Sequence, residues 1–264
     1  MIRFGPAGLG GAKGAEAVLE KYAALGLQTC EIAFTYSVYL KEEDARRIGA
    51  KARELGMTLS IHAPYFVNLS SDDAEKREKS KASILGCCEA ASWLGADAVV
   101  FHPGYYLKKG KELDREGTYD LVRQGIEEMM AVLGKKKWEV KLAPETMGKV
   151  NVFGSVEEIS RLSRETGCSF CIDYAHILAR EKKVDYAAIE QAFPGRLWFV
   201  HFSGIEYGEL GEKKHLVTER SAWEELLAKL PKDREIRIVN ESPAMVEDSV
   251  EGLEIWRVMG KGKL

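Results

Sequence analysis

No apolar run in this 264-residue chain approaches the ~20 residues that a membrane-spanning helix needs, so no membrane partner is expected. The N-terminal stretch MIRFGPAGLGG lacks the basic segment and apolar core of an export signal, which makes the cytoplasm the expected location. Cysteine is sparse and odd in number: Cys30, Cys87, Cys88, Cys168 and Cys171, two of them adjacent. That argues against a disulfide framework and for reduced thiols. CSFC at 168–171 has redox-like spacing, but it runs into a strand start and reads as two small core residues. An excess of positive charge is missing too. With 38 Lys and Arg against 41 Asp and Glu, the net −3 speaks against a generic polyanion binder, though not against local patches. No GxGxxG with a well-placed acidic residue follows the first strand, which disfavours a dinucleotide fold; GLGG at 8–11 reads as a loop. No linker, low-complexity tract or composition shift divides the chain. One domain over residues 1–264 and a monomer are the expectations.

What is present is a strong alternation. Hydrophobic residues at 45% and charged residues at 30% can build a sizeable core. Short apolar or β-branched runs recur at 2–4, 30–34, 58–62, 98–102, 139–145, 170–173, 197–202 and 236–241. Between them, segments such as AEAVLEKYAALG, EEDARRIGAKARELG and TYDLVRQGIEEMMAVLG repeat apolar residues every three or four positions. Several of these helical segments close on glycine, at Gly26, Gly56, Gly95, Gly134 and Gly167. Eight strands alternating with helices predict an α/β fold, a (β/α)8 TIM barrel, with a doubly wound open sheet as the alternative.

A barrel of this kind assembles its active site at the C-terminal ends of its strands. Histidine is scarce, and all five histidines fall there or in the loops that follow: His62, His102, His176, His201 and His215. Glu145, Asp173 and Glu241 end strands five, six and eight. Imidazole mixed with carboxylate, without cysteine, suits Zn²⁺ or Mn²⁺/Fe²⁺. One ion takes about four to six ligands, so eight candidates imply at least two. Two ions about 4 Å apart can activate a bridging hydroxide and stabilise the leaving oxygen of a phosphodiester. Sugar isomerisation is the other chemistry these residues allow.

In combination, HAPYFVNLSS, VVFHPGYYL, PETMGK…VFGSVEEI, CIDYAHILA, VHFSG with the loop to KKHLVTE, and VNES resemble the endonuclease IV family of apurinic/apyrimidinic endonucleases, within the xylose isomerase-like barrels. Order and spacing agree from about residue 2 to 256. The resemblance implies cleavage of the phosphodiester 5′ to abasic sites in duplex DNA, a step of base excision repair, with a zinc cluster. By position, His62 and His102 would hold the first zinc and Glu145 would bridge to the second, also serving as the catalytic orienting base. Asp173, His201 and Glu241 would complete the second, and His176 and His215 would bind the third. Tyr65 and Phe66 would enter the gap left by the missing base.

Two departures stand out. The family's Asp-x-His has Lys213 at the aspartate position in EKKH, and a protonated lysine cannot ligate a metal. Two or three zinc ions, or manganese, are therefore expected, with Lys213 as a fixed cation near a DNA phosphate; Glu212 reaches inward only if its loop is remodelled. The loop after strand two, FTYSVYLKEED, lacks the family's minor-groove arginine and offers Tyr39 as a wedge, beside Tyr36 and Lys41. Lysines at 108, 109, 111, 149, 182, 183, 213 and 214 lie in loops on the proposed catalytic side, a pattern suited to phosphate contacts. The competing readings are a single-ion sugar isomerase or epimerase using Glu145, Asp173, His201 and Glu241, and a non-catalytic nucleic-acid-binding barrel.

Overall fold

β-Branched and aromatic side chains fit a pleated, buried surface, and the eight apolar runs do form strands. In the computed structural model, which describes residues 1–261, these are β1 (Ile2–Pro6), β2 (Thr29–Ala33), β3 (Thr58–His62), β4 (Ala98–Phe101), β5 (Lys141–Pro144), β6 (Cys171–Asp173), β7 (Leu197–Phe202) and β8 (Glu235–Asn240). Every boundary lies within two residues of the run marked in the sequence. β2 to β5 pair in parallel in chain order, as do β6, β7, β8 and then β1. Two seams close the cylinder. Gln28 N–H donates to Phe4 O at 2.9 Å, and Thr146 N–H donates to Cys171 O at 3.0 Å beside a parallel bridge between Glu145 and Cys171. The expected TIM barrel is the observed one.

Helices α1 (Ala15–Ala24), α2 (Glu42–Glu54), α3 (Ala74–Leu94), α4 (Arg115–Lys136), α5 (Val156–Thr166), α6 (Tyr174–Glu181), α7 (Tyr186–Ala192), α8 (Arg220–Lys229) and α9 (Met245–Lys261) follow the strands. Gly95 and Gly167 end α3 and α5 in the left-handed conformation, as expected. Gly134 does not end α4. The helix runs on to Lys136, and Lys137 takes the left-handed position at φ 55° while Trp138 N–H closes on Leu133 O at 3.1 Å. α6 and α7, of eight and seven residues, are too short to announce themselves by periodicity. No helix among the described residues is long and apolar enough to cross a membrane.

The core has two layers. One lies between barrel and helices and includes Phe4, Leu19, Ile48, Ile84, Phe101 and Trp223; the other, Ala98, Val100, Ala143, Cys171 and Phe199, fills the barrel itself. Cys168 and Cys171 are buried and free, as expected of core residues. Side chains two apart on a strand share a face. Two residues on from Val100, Ala143, Cys171 and Phe199 come His102, Glu145, Asp173 and His201. The pleat that packs the barrel interior thus delivers those four groups to its mouth.

Candidate metal centre

Glu145 is the hub. Its carboxylate is fully buried. Oε2 lies 3.2 Å from both His62 Nε2 and His102 Nε2, while Oε1 lies 3.1 Å from His176 Nδ1 and 3.3 Å from His201 Nδ1. Three groups of ligand-type atoms, each within 4.8 Å of one another, surround it: His62, His102 and Glu145; Glu145, Asp173, His201 and Glu241; and His176, Glu212 and His215. All eight ligands expected from the sequence are therefore gathered in one place, with Glu212 as a ninth.

The local chemistry explains the orientations. Asp173 caps α6, its Oδ1 accepting His176 N–H at 2.7 Å. That puts His176 on the first turn, beside the strand end, and leaves Asp173 Oδ2 buried with no hydrogen-bond partner. His62 Nδ1 faces the carbonyl of Ala63 at 2.8 Å and His176 Nδ1 that of Thr146 at 3.0 Å, so each ring turns its Nε2 inward, toward Glu145 Oε2 at 3.2 Å and Glu212 Oε2 at 3.5 Å respectively. Ser203 Oγ shares a hydrogen bond of 2.8 Å with His215 Nδ1.

Glu212 enters through a bulge. After β7 the chain forms an antiparallel hairpin, Gly204–Gly208 against Gly211–Leu216, whose register pairs Glu206 with Lys214 but Tyr207 with Glu212. Lys213 is the extra residue. A bulge reverses the alternation beyond it, so Glu212 shares a face with His215, and its Oε2 sits 3.5 Å from His176 Nε2. Lys213 instead points outward, 3.4 Å from Glu206 Oε1, and is absent from the lining of the central cleft. The fixed cation expected at this position is thus replaced by a carboxylate one residue earlier. Two glycines permit the approach. A Cβ on Gly148 would lie 2.8 Å from Glu212 Cβ, and one on Gly211, at φ +96°, 2.1 Å from Gly148 O. Arg180 fastens the same loop by donating to Lys149 O at 2.6 Å and Val152 O at 2.8 Å.

Without cations the acids and imidazoles neutralise one another. Burial pushes Glu145 up, but the imidazoles of His201 and His102 hold it well below the usual carboxylate range. Burial disfavours charge on His62 and His176, yet Glu145 and Asp173 lift them to about 9 and about 10. Burial raises Asp173 to about 6. A divalent ion needs neutral imidazole, so these protons compete with it. Because both imidazoles hold protons through neutral pH, raising the pH removes the competitor. Zinc affinity of the stripped protein should therefore climb from pH 6 to pH 8, roughly tenfold per unit for each proton displaced. Competition with a chromophoric chelator measures this, and a flat profile would contradict the assignment.

The donor chemistry fits hard or borderline divalent ions, and the orphaned Asp173 oxygen marks a position that a cation would satisfy. Around it lies a cleft of about 500 Å³ lined by Tyr65, His102, Tyr105, Lys149, His176 and Glu241 among others. Tyr65 packs 5.2 Å from His62 and 5.4 Å from His102 between ring centres, and Phe66 beside it is 59% exposed. Tyr39 is tied down instead, its hydroxyl donating to Gly10 O at 2.8 Å and its ring edge-on to Phe34 at 5.0 Å. Tyr36, 83% exposed, is the free ring of that loop. Several loop lysines are committed elsewhere: Lys109 to Asp114, Lys182 to the carbonyls of Ala179 and Gly208, Lys214 to Glu206.

A family model described as Xylose isomerase-like TIM barrel matches residues 19–257. The chain belongs to that family. An uncharacterised protein of Methanocaldococcus jannaschii is 32% identical over 266 residues, spanning 95% of both chains. Endonuclease 4 of Thermus thermophilus is 31% identical over 180 residues, covering 65% of this chain and 62% of that one. Solved xylose isomerase-like barrels share the fold. Endonuclease IV from Thermus thermophilus aligns with TM-score 0.71 at 24% identity, over 98% of this chain and 99% of that one. D-psicose 3-epimerase from Clostridium cellulolyticum, solved with D-tagatose, aligns at 0.67 and 16%, over 92% of each. Within this family, then, the chain resembles both a nuclease and sugar epimerases in fold.

Proposed function

We propose that this protein is a metal-dependent endonuclease of the endonuclease IV type, cutting the phosphodiester 5′ to abasic sites in duplex DNA. One observation carries the reading: the ligand atoms exceed what a single ion uses. Glu145, Asp173, His201 and Glu241 suffice for one ion, yet His62 and His102 converge on the other oxygen of Glu145, and Glu212 completes His176 and His215. Bound together, two or three zinc or manganese ions would supply a nucleophile at neutral pH and charge stabilisation for an in-line displacement. Glu145 faces four imidazoles at 3.1 to 3.3 Å and in this reading would orient the attacking water. Tyr65 lines the cleft and Phe66 is exposed beside it in the chain, and such rings would stack in the space of a missing base. Lys149 offers a cation there to a flanking phosphate. An epimerase is favoured by one feature, the completeness of the four-residue group that includes Glu145 and Glu241 as candidate proton carriers. A duplex carrying a tetrahydrofuran abasic analogue separates the two. Nicking by zinc- or manganese-loaded protein, stopped by a chelator, supports the nuclease; an intact duplex together with ketose epimerisation would overturn it.

A further inference from the structure

Glu31 went unnoticed in the sequence, sitting mid-strand in CEIAF with no motif around it. It projects into the barrel from β2, 1% exposed, paired in register with Ser60 of β3. A buried carboxylate is costly unless its oxygens are satisfied. Ser60 Oγ donates to Oε2 at 2.8 Å, and Oε1 lies at ion-pair distance, 3.0 Å, from His201 Nε2; neither of these two buried atoms has a well-aligned hydrogen-bond partner among the described residues, so a small turn of the ring would satisfy both at once. On the opposite side of the ring, His201 Nδ1 faces Glu145 Oε1 at 3.3 Å and Glu241 Oε1 at 3.4 Å. The imidazole is thus held between one carboxylate behind it and the ligand group in front.

We infer that Glu31 is a positioning residue: it takes the Nε2 proton of His201 in a hydrogen bond and so turns the Nδ1 lone pair toward the ion of the four-residue group. It belongs to none of the three ligand groups, so its action runs through His201. The inference rests on the proposed metal site. A filler role would be served by an apolar side chain of similar shape, at no cost in buried charge. Such second-layer carboxylates typically change metal affinity by roughly 10–100-fold when removed.

The test compares Glu31→Leu and Glu31→Gln with the wild-type chain, by zinc titration against a chromophoric chelator and by ¹⁵N imidazole spectra of the zinc-loaded proteins. Glu31→Leu should weaken one ion of the set about 10–100-fold and leave the others unchanged. Glu31→Gln, whose carbonyl oxygen still accepts from Nε2–H, should recover most of that loss. His201 should carry its proton on Nε2 in wild type. Wild-type affinities in Glu31→Leu, an equal loss of every ion, or an Nδ1-protonated His201 in wild type would each overturn the inference. Should Glu31→Leu not fold, the wild-type spectrum and the glutamine variant decide. Nicking is read separately: wild-type protein that binds its ions with this His201 tautomer yet leaves abasic DNA intact would remove the nuclease reading and keep this one.

Discussion

Glu145→Gln should lower abasic-site nicking at least ~10³-fold, the scale on which loss of a central charge-stabilising group acts, and should cost more than one ion per chain. The substitution is nearly isosteric, so packing is preserved. What disappears is the charge that faces His62, His102, His176 and His201 at 3.1 to 3.3 Å. Glu145 also belongs to two of the three ligand groups, so its loss cannot be local. Elemental analysis with single-turnover nicking measures both effects. A variant that keeps all its ions and falls less than about tenfold in rate would show that the carboxylate is not shared.

The second large effect concerns the hairpin bulge. Glu212→Ala should lose one ion and on the order of 10²-fold in rate, no less than the upper end of what removing an outer-layer partner of a metal ligand costs. Lys213→Ala should leave both near wild type, since Lys213 faces Glu206 outside the cleft. Deleting Lys213 is the sharper comparison. Without the extra residue the strand alternates regularly, and Glu212, now one residue closer to His215, still faces inward as Glu-x-His. Ion content should then survive the deletion. If Lys213→Ala mimics Glu212→Ala, or the deletion strips the ion, the bulge does not do what its register implies.

The same bulge shows where reading a sequence stops. His62, His102, Glu145, Asp173 and His201 were legible because strand ends and period-two alternation place them without reference to anything distant. His176 was legible through its step from Asp173. Glu212 was not, because a bulge leaves no mark in composition and reverses which of two neighbours faces inward; EKKH reads as lysine at the ligand position until the hairpin register is known. Glu31 escaped for another reason. A single acid in an apolar strand could face either way, and its partner His201 lies 170 residues away across the barrel. Tyr39 looked free for want of knowing that Gly10 O waits at 2.8 Å. Gly134 looked like a helix stop because glycine commonly is one, yet the left-handed cap is Lys137, three residues beyond that expected stop.

The most direct measurement follows nicking of a tetrahydrofuran-containing duplex while stripped protein is titrated with zinc. Incision 5′ to the lesion should appear only as occupancy passes one ion per chain and should plateau at two or three. Full activity at a single ion, or an uncut duplex with every ion bound, would contradict the account.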